Sequence, residues 1–84
     1  PMPGGNELWF NAGMPAAFPT VALIGKYKTP EIAEPVLALA QFLEKRGVRV
    51  LLDRLTAAHI RNCPYEVLLL EDLGREADLA VVIG

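Results

Sequence analysis

The pattern of hydrophobic and polar residues changes twice between Thr20 and Asp53. Residues 20–25 form an apolar run rich in β-branched side chains that ends on glycine, which is typical of a strand covered on both faces. From Ile32 to Leu43, apolar residues recur every three or four positions, and this period predicts a helix with one apolar face. Residues 48–52 form a second apolar run that Asp53 closes. Strand, helix and strand in this order predict a right-handed parallel βαβ unit.

The start of the predicted helix has two interpretations. Thr29 is a suitable cap with Pro30 at the first helical position, but Pro35 would then remove a backbone hydrogen bond one turn inside. Alternatively, Pro30 to Ala33 form a loose turn and the regular helix begins near Glu34. We favour the second interpretation.

The end of this helix has clearer signals. Lys45 and Arg46 are cations in the last turn, which suits the negative end of the helix dipole, and Gly47 is a left-handed C-cap. The period predicts that Leu39 and Leu43 are buried against the sheet.

After Asp53 the pattern weakens. Residues 55–60 are compatible with one or two helical turns, and a break follows at residues 62–64. Residues 67–70 and Leu73 are compatible with either a strand or a helix, and we predict a short helix at Leu68–Glu76. A third buried parallel strand is predicted at Leu79–Ile83, followed by Gly84. The fold class predicted is therefore α/β, an incomplete Rossmann-like three-layer domain. Its three parallel strands, at Thr20–Ile24, Val48–Leu52 and Leu79–Ile83, are expected in the order 2-1-3.

The first 17 residues have no apolar period. Residues 1–19 contain four of the seven prolines and three of the seven glycines. We interpret residues 1–17 as a disordered leader, with Met14 as the natural start and residues 18–84 as the domain. Trp9 and Phe10 leave open that the leader docks on the domain.

Composition narrows the class of protein. A net charge of −2 and a pI near 5.2 give no broad basic surface, so nucleic acid is not an expected partner. The apolar runs are too short to cross a bilayer, and no signal peptide is recognisable. Cys63 is the single cysteine, which allows no internal disulfide and favours a cytoplasmic location.

Candidate ligand-binding residues lie where the predicted strands end. Gly25 with Lys26 and Lys28 would place backbone amides and ammonium groups near a phosphate, although one glycine makes neither a dinucleotide fingerprint nor a P-loop. Gly84 directly follows the last strand, where a glycine lets a ligand approach the backbone. We therefore expect Gly84 to border a nucleotide site. Gly25 and Lys26 are candidates for the same site, although a solvated loop is the favoured interpretation for these two residues.

Other polar residues have simpler explanations. Asp53 stands where dinucleotide-binding folds hold a ribose hydroxyl, but a helix cap is the favoured role. His59 has no partner at metal-binding spacing, and Cys63 is interpreted as a bystander thiol. The charged residues of the helix predicted at Leu68–Glu76 are interpreted as a solvated face; they are Glu71, Asp72, Arg75 and Glu76. No catalytic and no metal-binding residue is assigned.

From Phe18 onwards the sequence resembles the N-terminal part of the ATP-dependent NAD kinases. The resemblance is carried by the first strand and its loop (residues 20–27), the helix segment at residues 30–40, Ala58-His59 and the last run at residues 73–84. In that family the last run continues into a Gly-Gly-Asp-Gly signature, so Gly84 would be its first glycine.

The resemblance implies an enzyme that transfers the γ-phosphoryl group of ATP, with Mg²⁺, to the 2′-hydroxyl of the adenosine ribose of NAD. The family's catalytic aspartate would lie two residues after Gly84, and its asparagine-glutamate motif and C-terminal domain would lie further on. The resemblance also implies a homo-oligomeric parent enzyme. Residues 1–84 alone are then expected to be inactive and to hold no cofactor.

Two other interpretations remain open at this point. One is a small Rossmann-like or flavodoxin-like module that binds a nucleotide without catalysing a reaction. The absence of the dinucleotide-binding glycine fingerprint counts against this interpretation. The other is a non-binding interaction fragment that completes its sheet with another chain.

Overall fold

A computed structural model describes residues 18–84. The predicted leader, with Trp9, Phe10 and Met14, lies outside the described residues. The helices and strands in chain order are β1 (Thr20–Gly25), α1 (Ala33–Glu44), β2 (Arg49–Asp53), α2 (Arg54–Ala57), β3 (Glu66–Leu68), α3 (Leu70–Glu76) and β4 (Leu79–Ile83).

The strands form one parallel sheet in the order β3-β2-β1-β4. β1 lies between β2 and β4, so the predicted order of these three strands is confirmed. Leu23 of β1 pairs with Leu52 on one side and with Val81 on the other. The α/β fold class is confirmed, but the sheet has four strands where three were predicted.

The additional strand, β3, lies where the helix predicted at Leu68–Glu76 was expected to begin. Leu68 is the last residue of β3 and pairs with Asp53, and α3 begins only at Leu70. The apolar run at residues 67–70 satisfies either structure, because strand and helix patterns differ little over four residues. Pairing with the edge of β2 decides in favour of a strand, so the predicted start of the helix was wrong.

Alternate residues of the central strands face two different layers, as a pleated strand requires. Val21, Leu23, Val50 and Leu52 belong to a core that α1 and the segment after β2 cover. On the opposite face, Ala22 and Leu51 pack against Leu73 of α3. Helices therefore cover both faces of β1 and β2, which gives the expected three layers.

β4 is less covered than predicted. Val81 and Ile83 pack against the α1 side of the core, whereas Leu79 is 40% exposed and Val82 is 61% exposed. β4 forms an edge of the sheet, and among residues 18–84 no helix lies over its outer part. The prediction of a buried third strand was therefore wrong for the exposed residues of β4, including Leu79 and Val82.

The boundaries of α1 follow the favoured interpretation. Pro30–Ile32 form one turn of 3₁₀ helix, and the α-helix begins at Ala33, so Pro35 lies in the first turn, where it removes no hydrogen bond.

At the carboxyl end of α1, Gly47 has a φ of +79°. Its N–H donates to the Glu44 carbonyl at 3.0 Å. The Val48 N–H donates to the Leu43 carbonyl at 3.1 Å, which completes a Schellman motif. The predicted glycine C-cap is confirmed, although Lys45 and Arg46 follow the last helical residue.

The inward face of α1 is shifted relative to the prediction. Val36 and Ala40 are fully buried. Leu39 and Leu43 pack against the same core but remain partly exposed. The predicted contact of Leu39 and Leu43 with the core is confirmed and their predicted burial is not, because the fully buried stripe of α1 runs through Val36 and Ala40.

A cluster of charges joins three elements at the amino-terminal edge of the sheet. Arg49 makes two hydrogen bonds to the Glu66 carboxylate, at 3.0 and 2.7 Å, and also lies 3.6 Å from Glu76. The hydrogen bond from Arg49 lowers the pKa of Glu66 and raises that of Arg49. This pairing joins the first residue of the short strand β3 to the first residue of β2.

No helix within residues 18–84 combines the length and the apolar character that crossing a membrane would need.

Candidate functional site

The carboxyl ends of β1, β2 and β4 meet at one edge of the sheet. Gly25, Asp53 and Ile83 are the last residues of these strands, and Gly25 pairs directly with Ile83. In open parallel sheets this carboxyl edge is where ligands bind. The structure therefore brings the three predicted site residues, Gly25, Lys26 and Gly84, to the expected edge.

Gly25 is held in place by hydrogen bonds and close packing. Its N–H donates to the Thr56 hydroxyl at 2.9 Å. A Cβ at this position would lie 2.7 Å from Cγ1 of Ile32 and 3.3 Å from the Thr56 hydroxyl. The close approach of Ile32 and Thr56 thus explains by itself why the residue is glycine.

Asp53 is the N-terminal cap of α2, as the favoured interpretation predicted. Its carboxylate accepts from the Thr56 N–H at 3.2 Å and from the Thr56 hydroxyl. The residue is only 2% exposed, so both partners compensate for the loss of water around a charge. These contacts leave Asp53 turned into the protein instead of toward a ribose.

The two lysines of the loop after β1 behave differently. The Lys28 ammonium group donates to the Gly25 carbonyl and lies 4.0 Å from the Asp53 carboxylate. The Lys26 ammonium group lies 5.3 Å from the centre of the Tyr27 ring. Lys28, which was a secondary candidate, is therefore the lysine whose charge is fixed at the carboxyl edge.

Gly84 lies directly under the side chain of Lys26. A Cβ on Gly84 would be 2.6 Å from Cβ of Lys26, and the Lys26 N–H donates to the Ile83 carbonyl at 2.8 Å. The lack of a side chain at Gly84 thus makes room for the methylene groups of Lys26. The predicted approach of a ligand to this glycine stays a prediction.

Thr56 is the polar residue of this edge that the sequence interpretation missed. It is fully buried, and its hydroxyl contacts both Gly25 and Asp53. A signal was present for Asp53, since an aspartate directly before a helical turn caps a backbone N–H of that turn, but such a cap requires no particular side chain at position 56. The sequence could not show that the same hydroxyl also reaches β1.

The remaining candidates take no part in the side-chain contacts that join Gly25, Thr56 and Asp53. Among residues 18–84, no three His, Cys, Asp or Glu side chains are grouped so that they could hold a metal ion. His59 lies near Glu31, whose pKa is lowered mainly by backbone and Thr29 hydrogen bonds and slightly by His59. The charged residues of α3 do form a solvated face, with an ion pair between Arg75 and Asp72.

Comparison with known proteins gives consistent names. The chain is 56% identical over 69 residues to an NAD kinase of Nitrosomonas europaea, a match that covers 82% of this chain and 23% of that relative. It is 57% identical over 67 residues to an NAD kinase of Nitrosomonas eutropha, a match that covers 80% of this chain and 23% of that relative. An NAD kinase of Aromatoleum aromaticum is 47% identical over 78 residues, 92% of this chain and 26% of the relative.

These matches cover only part of the relatives. The chain spans about a quarter of the length of the curated relatives it matches. No protein-family model matches the chain. No solved structure matches it either.

Proposed function

We propose that this chain, a member of the NAD kinase family, forms part of the nucleotide site of such a kinase. It matches curated NAD kinases over about a quarter of their length. In this proposal the whole protein transfers the γ-phosphoryl group of ATP to the 2′-hydroxyl of the adenosine ribose of NAD. The products are NADP and ADP. The parent enzyme is proposed to be cytoplasmic and homo-oligomeric.

The observation that carries the proposal is the sequence identity to NAD kinases from several bacteria. The geometry of the carboxyl edge supports it, because a parallel sheet covered by helices on both faces is a common frame for nucleotide binding. Gly25, Lys26 and Gly84 are proposed to border the nucleotide at this edge.

The chemistry itself is proposed to need residues outside the described segment. Phosphoryl transfer requires a hydroxyl, a phosphate chain and a metal ion to be positioned together. Among residues 18–84 no three acidic or other ligating side chains are grouped, and the Asp53 carboxylate is already engaged by Thr56, so we assign none of these residues to a metal ion. We therefore assign to residues 18–84 a structural and nucleotide-bordering role.

The test is NADP formation by the longer protein that contains this segment, supplied with NAD, ATP and Mg²⁺. An NADP-specific dehydrogenase reports the product, and omission of ATP is the control. NADP formation that depends on ATP is the expected result. A protein that binds NAD in calorimetry but forms no NADP would favour the nucleotide-binding module without catalysis.

A further inference from the structure

Thr56 joins the ends of two neighbouring strands through one buried hydroxyl. The oxygen accepts from the Gly25 N–H at 2.9 Å, and the hydroxyl proton is donated to the Asp53 carboxylate. Gly25 ends β1 and Asp53 ends β2. The relative position of these two strand ends therefore depends on a side chain that belongs to neither strand.

The hydroxyl has no substitute in its surroundings. Thr56 is 0% exposed and Asp53 is 2% exposed, so water does not replace a lost partner at either residue. Within residues 18–84 every buried side-chain nitrogen and oxygen has a hydrogen-bond partner. Removing the hydroxyl would leave a buried N–H without its acceptor and a carboxylate without one donor, which is costly in a site closed to water.

Gly25 and Asp53, the two residues that Thr56 joins, also determine where the Lys28 ammonium group lies. Lys28 donates to the carbonyl of Gly25 and faces the carboxylate of Asp53 at 4.0 Å. Its side chain is 33% exposed, so the charge is reachable from solvent at the carboxyl edge. An ammonium group has three donors, and the hydrogen bond to Gly25 uses one of them.

We propose that Thr56 is a positioning residue, which fixes Gly25 and Asp53 so that the Lys28 ammonium group meets the phosphates of a nucleotide at the carboxyl edge. The inference rests on the proposed function and deepens it, because it names the cation that contacts the ligand. Both the pyrophosphate of NAD and the triphosphate of ATP offer the required phosphate oxygens. A fixed cation binds such oxygens better than a freely rotating one because less side-chain entropy is lost.

The experiment uses the longer protein and four variants, Lys28→Met, Thr56→Val, Thr56→Ser and the Lys28→Met/Thr56→Val double variant. Lys45→Met, which removes an exposed lysine after α1 at the opposite edge, is the matched control. Dissociation constants for NAD and for ATP are measured by calorimetry, together with KM and kcat for NADP formation. The melting temperature of each variant separates binding from stability.

Lys28→Met is expected to weaken one of the two nucleotides roughly tenfold, the loss expected for a charge-assisted hydrogen bond, while Lys45→Met changes neither. The nucleotide that weakens identifies which phosphates Lys28 meets. Thr56→Val is expected to weaken the same nucleotide to a similar degree, and Thr56→Ser to restore most of that affinity. In the Lys28→Met background, Thr56→Val should lower the melting temperature but weaken binding no further.

Two results would overturn the inference. One is unchanged affinity for both nucleotides in Lys28→Met, which is decisive even if Thr56→Val does not fold. The other is a Thr56→Val effect on affinity that is equally large with and without Lys28. A wild-type protein that forms no NADP would contradict the proposed function instead, while the calorimetric constants still decide the role of Thr56.

Discussion

The glycines at the carboxyl edge illustrate how a single residue type supports two explanations. A glycine after a strand indicates that something lies close to the backbone, and a nucleotide was the predicted neighbour. In the structure Ile32 fills this space at Gly25, and the Lys26 side chain fills it at Gly84. The sequence predicted the close approach but not its cause, because the absence of a Cβ carries no information about which atoms replace it.

Gly25→Ala is therefore expected to be destabilising even without a ligand. The new methyl group would lie 2.7 Å from Ile32, and such overpacking typically costs about 1–3 kcal/mol. Urea denaturation measures the change in the free energy of unfolding. Gly74→Ala is the matched control, since nothing lies within 4 Å of its added methyl group in α3. It should stabilise the protein by about 0.4–1 kcal/mol. Equal effects of the two substitutions would contradict the packing described for Gly25.

Among the elements, the βαβ unit was predictable and the segment between β2 and β4 was not. α1 has an apolar period long enough to indicate a helix. β1 is a short apolar run rich in β-branched residues that ends at a glycine, and β2 is a short apolar run that ends at an aspartate, so the types of all three were predicted correctly. β3 has three residues, and its residues carry no alternation of their own. Its conformation depends on pairing with β2, which is a property of the assembled sheet and cannot be read from three residues.

The orientation of α1 gives a prediction about core stability. Leu23→Ala should cost about 2–5 kcal/mol, because Leu23 is 0% exposed in the central strand. Leu39→Ala on α1 should cost less, because part of that side chain already contacts water. Chemical denaturation of both variants compares the same substitution at two degrees of burial. A larger loss for Leu39→Ala would mean that α1 turns a different face to the sheet.

The pairing of Arg49 with Glu66 predicts a pH dependence of stability. Because Arg49 lowers the pKa of Glu66 in the folded state, the contribution of Glu66 is present above its unfolded pKa and is lost as the pH falls through the folded pKa. Glu66→Gln should therefore lower the melting temperature slightly at neutral pH and have no effect below the folded pKa. Glu71→Gln, on the exposed face of α3, controls for the removal of a carboxylate. A Glu66→Gln effect that is constant over the acidic range would exclude this ion pair as the cause.

The molecule as a whole divides into parts that the sequence predicted well and parts that it did not. The parallel strand order followed from apolar runs and the crossover rule, and the helix cap at Asp53 followed from its position before a helical turn. The hydrogen bond between Gly25 and Thr56 joins residues 31 positions apart in the sequence, and no local sequence pattern predicts such a contact. The exposure of β4 was missed because an apolar strand sequence does not reveal whether a second layer covers it.

We propose that this segment is one part of an NAD kinase and that catalysis depends on residues outside 1–84. The direct measurement is NADP formation from NAD, ATP and Mg²⁺ by two samples, the chain of residues 1–84 and the longer protein that contains it. A variant of the longer protein lacks the aspartate that the family resemblance places two residues after Gly84. We expect turnover by the longer protein alone, with most of it lost in the aspartate variant. NADP formation by residues 1–84, or a folded longer protein that leaves NAD unphosphorylated, would contradict it.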